Sequence, residues 1–251
     1  MSSIGISTIV FASVFGGALI GMFIRAVLPQ QHLSSDSKDV VKLGMALVST
    51  MAAIVLGLLI SSAKSSYDAQ SNELTEMSAK FVLLDRVLAH YGEETGELRG
   101  LLHSSVVSTL DRLWPQSHAG PTRVEAPSGA AEILVDKMQE LSPKDDRQRL
   151  LQAQALTLMF DLGRMRWLQF AQGTTSVTMP LLVVLVFWLT TLFIGFGIFA
   201  PANATVVASL FVSSLSVSAA ILLILELYSP FSGLIQVSSA PMRAALSQLG
   251  K

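Results

Sequence analysis

Charge is absent from four stretches of the chain for long enough to cross a bilayer, whose hydrocarbon core takes about 20 apolar residues of helix. Ile4–Ile24 and Leu43–Ala63 reach that length with no charged residue inside. From Trp167 to Leu225 there is no charge at all, and Pro180 with the break "FAPANAT" (Phe199–Thr205) divides this run into two more spans, about Met179–Phe199 and Thr205–Leu227. The second span does not stop where its apolar residues do. "GLLISSAKSSYDAQSNE", Gly57–Glu73, passes from apolar to polar with no Gly or Pro after Gly57, and none follows before Gly92.

Beyond the span, apolar residues recur at Leu74, Met77, Phe81, Leu84, Leu88 and Tyr91. Alternating steps of three and four mark a buried seam on one helix face. Traced backwards, the seam passes Tyr67, Ala63 and Ile60, and Gly92 supplies a C-terminal cap. The spacing predicts one helix from about Val41 to Tyr91, roughly 75 Å long at 1.5 Å per residue. Glu94–Leu113 reads as a second amphipathic helix, with Leu98, Leu101, Leu102, Val106 and Leu110 on its apolar side. Pro115–Gly129, with Pro121, Pro127 and Gly120, reads as a loop. A short helix to about Leu141 follows, and Ser142-Pro143 predicts the start of another that runs to Gln172 and into the third span. No strand alternation or internal repeat occurs.

The expected fold is therefore an all-α membrane protein with four transmembrane helices and a helical polar region. Residues 1–63 form a first transmembrane hairpin, 64–178 a cytosolic helical region, 179–228 a second hairpin and 229–251 a cytosolic tail, in one integrated fold.

Composition agrees: 51% of the 251 residues are hydrophobic, and the formal net charge is −1. So small a net charge offers no field for nucleic acid. Residues 64–172 hold 12 of the 17 Lys/Arg and 15 of the 18 Asp/Glu, so the polar chemistry is confined to one region. Four spans put both termini and that region on one side. Lys64, Lys80, Arg164, Arg166 and Arg243 there, against Arg25, Lys38 and Lys42 opposite, make that side the cytoplasm, although Arg25 alone argues the reverse. The first span lacks a basic leader and a good cleavage site, so it is expected to be retained. Asn203-Ala204-Thr205 has the glycosylation pattern, but Asn203 also suits a helix cap across a short hairpin. With no cysteine, disulfides and thiolate metal sites are excluded.

At 100° per residue the long helix has a second stripe, roughly opposite the seam: Thr50, Ile54, Leu58, Ser61, Ser65, Asn72 and Glu76. It is apolar at membrane depth and becomes small and polar beyond. An aliphatic constriction followed by a hydrated vestibule would have this pattern. So would a helix with Ile54 and Leu58 towards lipid and its polar residues in bulk water.

The stretch Gly57–Glu73, with Tyr67, Asp68 and Glu73, resembles the end of the second helix of bestrophins. "ILELYSPFSGLIQVSSAPMRAAL" (Ile224–Leu246) is similar to the segment after their last membrane helix, here with Glu226, Pro230-Phe231, Gly233, Pro241 and Ala245-Leu246. "LLDRVLAHYG" (Leu83–Gly92) and "FWLTTLFIGFGIFAPANATVVASL" (Phe187–Leu210) extend the resemblance over nearly the full length, to the bestrophin-like family of bacterial membrane proteins. The resemblance implies a homo-oligomer, pentameric in bestrophins, whose second helices line an ion pore in the inner membrane and continue into a cytosolic vestibule. It implies a neck at Ile54 and Leu58 with Thr50 one turn outward, and a vestibule lined by Ser61, Ser65, Asn72 and Glu76. Inorganic ions and the lipid bilayer are the expected partners. The aromatic neck side chains common in bestrophins are aliphatic here, a Trp pair beside the Tyr-Asp motif is absent, and the acid run before Pro-Phe is reduced to Glu226. Calcium gating is therefore not expected to carry over.

Glu226, at the lip of the fourth span, could orient the Pro-Phe turn or snorkel to the interface. Glu76, repeated around a ring, would favour cations; a solvated surface glutamate is the alternative. Gly17 with Gly21, and Ser209, Ser213, Ser214, Ser218 with Ala220, give two spans small faces suited to close packing, between subunits or within one. His90, His103 and His118 lack ligand spacing, and no nucleophile elbow, phosphate loop or dinucleotide fingerprint occurs. Neither a metal, a cofactor nor an enzyme activity is expected. The functional expectation is passive ion conduction. A non-conducting membrane scaffold or sensor, and a transporter, are the rivals; intramembrane charges or broken helices of the transporter kind are not evident.

Overall fold

The structure, a computed structural model, describes residues 2–29, 35–114, 130–173 and 179–251. Among these residues the chain is helical, with no strand. The helices are α1 (Ser3–Val27), α2 (Ser35–Tyr91), α3 (Gly96–Leu113), α4 (Ala130–Gln139), α5 (Asp146–Gly173), α6 (Met179–Phe199), α7 (Ala204–Leu227) and α8 (Ala240–Gln248), with a 3-10 turn at Glu93–Thr95. Four of them, α1, α2, α6 and α7, are long and apolar enough to cross a membrane. The chain is thus an all-α membrane protein, as its hydrophobic pattern predicts. It divides into two compact units, Met1–Ser66 with Ser176–Ser229 and Tyr67–Thr175 with Pro230–Lys251.

In the first unit α1 packs along α6 and α7. The approach to α6 is backbone on backbone. A Cβ on Gly21 would lie 2.1 Å from the Ile194 carbonyl oxygen, and one on Gly197 2.2 Å from that of Ala18. The small residues of α1 therefore serve packing inside one chain. On the α7 side, the Ser7 hydroxyl is within 2.9 Å of the Ser218 carbonyl and the Ser218 hydroxyl within 2.7 Å of that of Ser7, so one pair of side chains ties two apolar helices. Phe211 meets Phe11 and Phe15 edge-on, each at 5.4 Å. α2 turns Ala52, Leu59 and Ala63 inward, all buried, and lays Met45 against Gly195. Asn203 caps α7, its side chain accepting the Val206 N–H at 2.9 Å.

The second unit has one apolar core. The α2 seam supplies Leu74, Met77, Phe81, Leu84 and Leu88, with Tyr91 also buried at its end. Facing them are Leu98, Leu102, Val106 and Leu110 of α3, Leu134 and Met138 of α4, Ala155, Met159 and Leu162 of α5, and Met242 of α8. α2 stops at Gly92, whose φ of +140° suits only glycine. The Thr95 hydroxyl then closes the end, hydrogen-bonded to the Leu88 carbonyl at 2.6 Å.

Several boundaries differ from expectation. α2 begins at Ser35 rather than about Val41, and α3 at Gly96 after the 3-10 turn. α5 begins at Asp146, not at Ser142-Pro143. The Asp145 carboxylate accepts the Gln148 N–H at 2.6 Å, and the Gln148 side-chain oxygen accepts the Lys144 N–H at 2.8 Å. A charged cap with a reciprocal partner satisfies two backbone donors and suits the positive end of the helix, so it wins over the serine upstream. The expected loop Pro115–Gly129, with His118, lies outside the described residues.

Candidate functional site

In the first unit, Thr50, Ile54, Leu58, Ser61 and Ser65 are all exposed on α2, Ile54 by 59% and Leu58 by 64%. The division follows from helical phase: Ala52, Leu59 and Ala63 occupy the packed side, and the stripe turns away from it. The Thr50 hydroxyl donates to the Ala46 carbonyl at 2.9 Å, so its one hydrogen is used within the helix while its oxygen can still accept. Ile54 and Leu58 are one turn apart, about 6 Å along the axis. Between Thr50 and Ser61 a face of this kind offers an ion no side-chain ligand.

In the second unit Asn72 and Glu76 are exposed on α2. Glu76 is not a lone charge. The Lys80 ammonium lies 3.3 Å from its carboxylate and 2.6 Å from that of Asp161 on α5. Two acids share one base, which leaves a net charge of one minus at this place.

The residues of the Tyr-Asp and Pro-Phe motifs gather in the second unit, apart from Glu226. The Tyr67 hydroxyl donates to the Gln236 carbonyl at 3.2 Å, Pro230 and Phe231 are buried, and Gly233 takes φ +91° where the chain reverses. The Val237 N–H returns to the Pro230 carbonyl at 2.8 Å, closing this segment on itself. Trp114, at the C-terminal cap of α3, holds it: its indole N–H donates to the Val237 carbonyl at 2.9 Å and its ring meets Phe231 edge-on at 6.0 Å. Sequence reasoning missed Trp114. The available signal was a tryptophan ending an amphipathic helix, whose N–H needs an acceptor when partly buried. Asp68 and Glu73 are half-buried and engaged. Glu226, in the first unit, is buried at 4% exposure, so it does not snorkel out of the fold; the carbonyl of the same residue accepts the Ser229 N–H at 3.0 Å. The Tyr228 hydroxyl and Ser62 are 3.0 Å apart across α7 and α2.

No group of metal-ligating side chains occurs among the described residues. His90 is turned to its own helix, Nδ1 lying 2.7 Å from the Arg86 carbonyl oxygen, and His103 is exposed. Arg166 on α5 is unusual: burial, and then the positive charge of Arg112, push its pKa down.

The sequence profile of the bestrophin-like domain matches residues 11–242. No functionally curated protein matches the chain. Among solved structures, a point mutant of a bacterial bestrophin homologue from Klebsiella pneumoniae is similar over 96% of this chain and 97% of its own, with a TM-score of 0.68 and 15% identity. A second point mutant of that homologue gives 0.67 and 16% identity, over 99% and 97%. At such identities the likeness is one of fold.

Proposed function

The chain belongs to the bestrophin-like family, and from that premise we propose that it is a subunit of an oligomeric, pentameric ion channel of the bacterial inner membrane. The observation that carries this reading is the exposed stripe of α2: among the described residues no helix covers Thr50, Ile54 and Leu58, while Ala52, Leu59 and Ala63 on the opposite side are buried. Copies arranged around an axis would turn these stripes towards one another. Ile54 and Leu58 would then form a neck. A narrow aliphatic ring resists water, so it blocks ions by dewetting and opens when it widens or becomes wet. Thr50 stands at its outer end.

Ser61 and Ser65 would begin the wet continuation, with Asn72 and Glu76 further along. Residues 64–178 and both termini would be cytoplasmic. Selectivity would be weakly for cations, since the triplet Glu76, Lys80 and Asp161 carries one net negative charge per subunit and such charges add around a ring. Tyr67, Asp68, Glu73, Pro230, Phe231 and Gly233 would act structurally, setting the segment that follows the last span, and Glu226 would orient the turn leading into it.

The test is conductance of the purified protein in planar bilayers under a KCl gradient, with Ile54→Ala and Leu58→Ala beside wild type. Raised open probability in either variant supports the neck. Silence in all three, with insertion and an intact oligomer verified, moves the reading to a non-conducting scaffold.

A further inference from the structure

The half-buried cations Lys80, Arg99 and Lys137 of the second unit each have a carboxylate, Asp161, Asp85 and Glu97 respectively, at 2.6–2.8 Å. Two others do not. Arg166 of α5 and Arg112 of α3 are also half-buried, and among the described residues neither has an acid within ion-pair distance. Arg166 is held by hydroxyls instead. Its Nη2 donates to Ser105 Oγ at 3.0 Å and to Thr109 Oγ1 at 3.2 Å. The charge acting on it is the like charge of Arg112, one turn beyond Thr109 on the same helix.

A guanidinium partly drawn from water is stabilised by a counter-charge beyond what hydroxyl dipoles supply. The donors left over suit an anion. With Nη2 engaged, the Nε–H and Nη1 hydrogens of Arg166 have no acceptor among the described residues. The Thr109 hydroxyl donates to the Ser105 carbonyl at 2.8 Å, whereas Ser105 Oγ accepts from Arg166 and keeps its own hydrogen. We propose that Arg166, Arg112 and Ser105 form a binding site for a phosphate-class oxyanion. Several oxygens held by planar forks is the chemistry that distinguishes this ligand from a halide, which would use only one direction of each fork. The ligand is either free phosphate or a lipid phosphate headgroup. The second source fits the sequence, because α5 ends at Gly173 and the membrane helix α6 begins at Met179.

The full-length protein is titrated with inorganic phosphate in detergent at constant ionic strength by calorimetry. It is also melted in nanodiscs of phosphatidylcholine with and without phosphatidic acid. Arg166→Gln would disturb the buried Ser105 and half-buried Thr109 hydroxyls, so Arg112→Gln and Ser105→Ala carry the test. Saturable phosphate binding that weakens about tenfold in Arg112→Gln, the loss of one charge-assisted contact, establishes a free-anion site. Stabilisation by phosphatidic acid alone, reduced in the same variant, establishes a headgroup site. Equal behaviour of wild type and both variants in both arms overturns the proposal. Neither readout depends on conductance, so failure here is separate from failure of the channel reading.

Discussion

Asp85 of α2 and Arg99 of α3 meet side by side, the two carboxylate oxygens accepting from Nε at 2.8 Å and Nη2 at 2.9 Å. The Asp85 carboxylate, almost wholly buried, takes a third bond from the Gly250 backbone N–H at 3.2 Å. One carboxylate thus fastens the end of the chain to the α2–α3 corner. Asp85→Ala strands a half-buried guanidinium, a change that costs about 3–5 kcal/mol. The thermal midpoint should fall by roughly 10 °C, while Asp136→Ala, an exposed control, leaves it nearly unchanged. Equal melting of both variants in a thermal scan would refute the assignment.

Gly21 and Gly16 lie five residues apart on α1 and should answer oppositely to alanine. Gly21→Ala drives a Cβ into the Ile194 carbonyl, so α1 and α6 must part. Gly16 has open space around its Cβ position, so Gly16→Ala gains helix propensity, about 1 kcal/mol in a water-exposed helix. Size-exclusion of detergent extracts after heating should show Gly21→Ala lost first and Gly16→Ala retained at least as well as wild type.

Trp114→Phe keeps an aromatic ring against Phe231 but removes the donor to the Val237 carbonyl. A hydrogen bond of about 1 kcal/mol predicts roughly fivefold faster amide exchange across residues 231–237. Unchanged exchange there would mean that the ring contact alone holds the segment.

Lys80→Gln removes the base that Glu76 and Asp161 share. If these groups border the ion path, the reversal potential under a KCl gradient shifts further towards the cation limit. It should shift back in Lys80→Gln combined with Glu76→Gln. A potential unmoved by either variant places this triplet away from the path.

Much of the fold is legible because helices announce themselves by period. The Leu74–Tyr91 seam is buried at every expected position, since a three-four spacing has no other way to hide its apolar residues. Side-chain partnerships are less legible. Asp85 lies between the seam residues Leu84 and Leu88, and nothing local marks Arg99, fourteen residues on, as its partner. Ser142-Pro143 looks like a helix start, yet Asp145 and Gln148 cap better. The exposed stripe of α2 was readable as a pattern. What it faces is not written in the period of one helix, which marks a face and not its partner.

The touching backbones of α1 and α6 also constrain motion. With Ala18 and Gly21 seated against Ile194 and Gly197, any axial slip would drive carbonyl oxygens over Cα atoms with no side chain to yield between them. The two helices can travel only as a single stiff stave, and a conformational change in this unit must therefore be taken up where α2 and α7 border that stave.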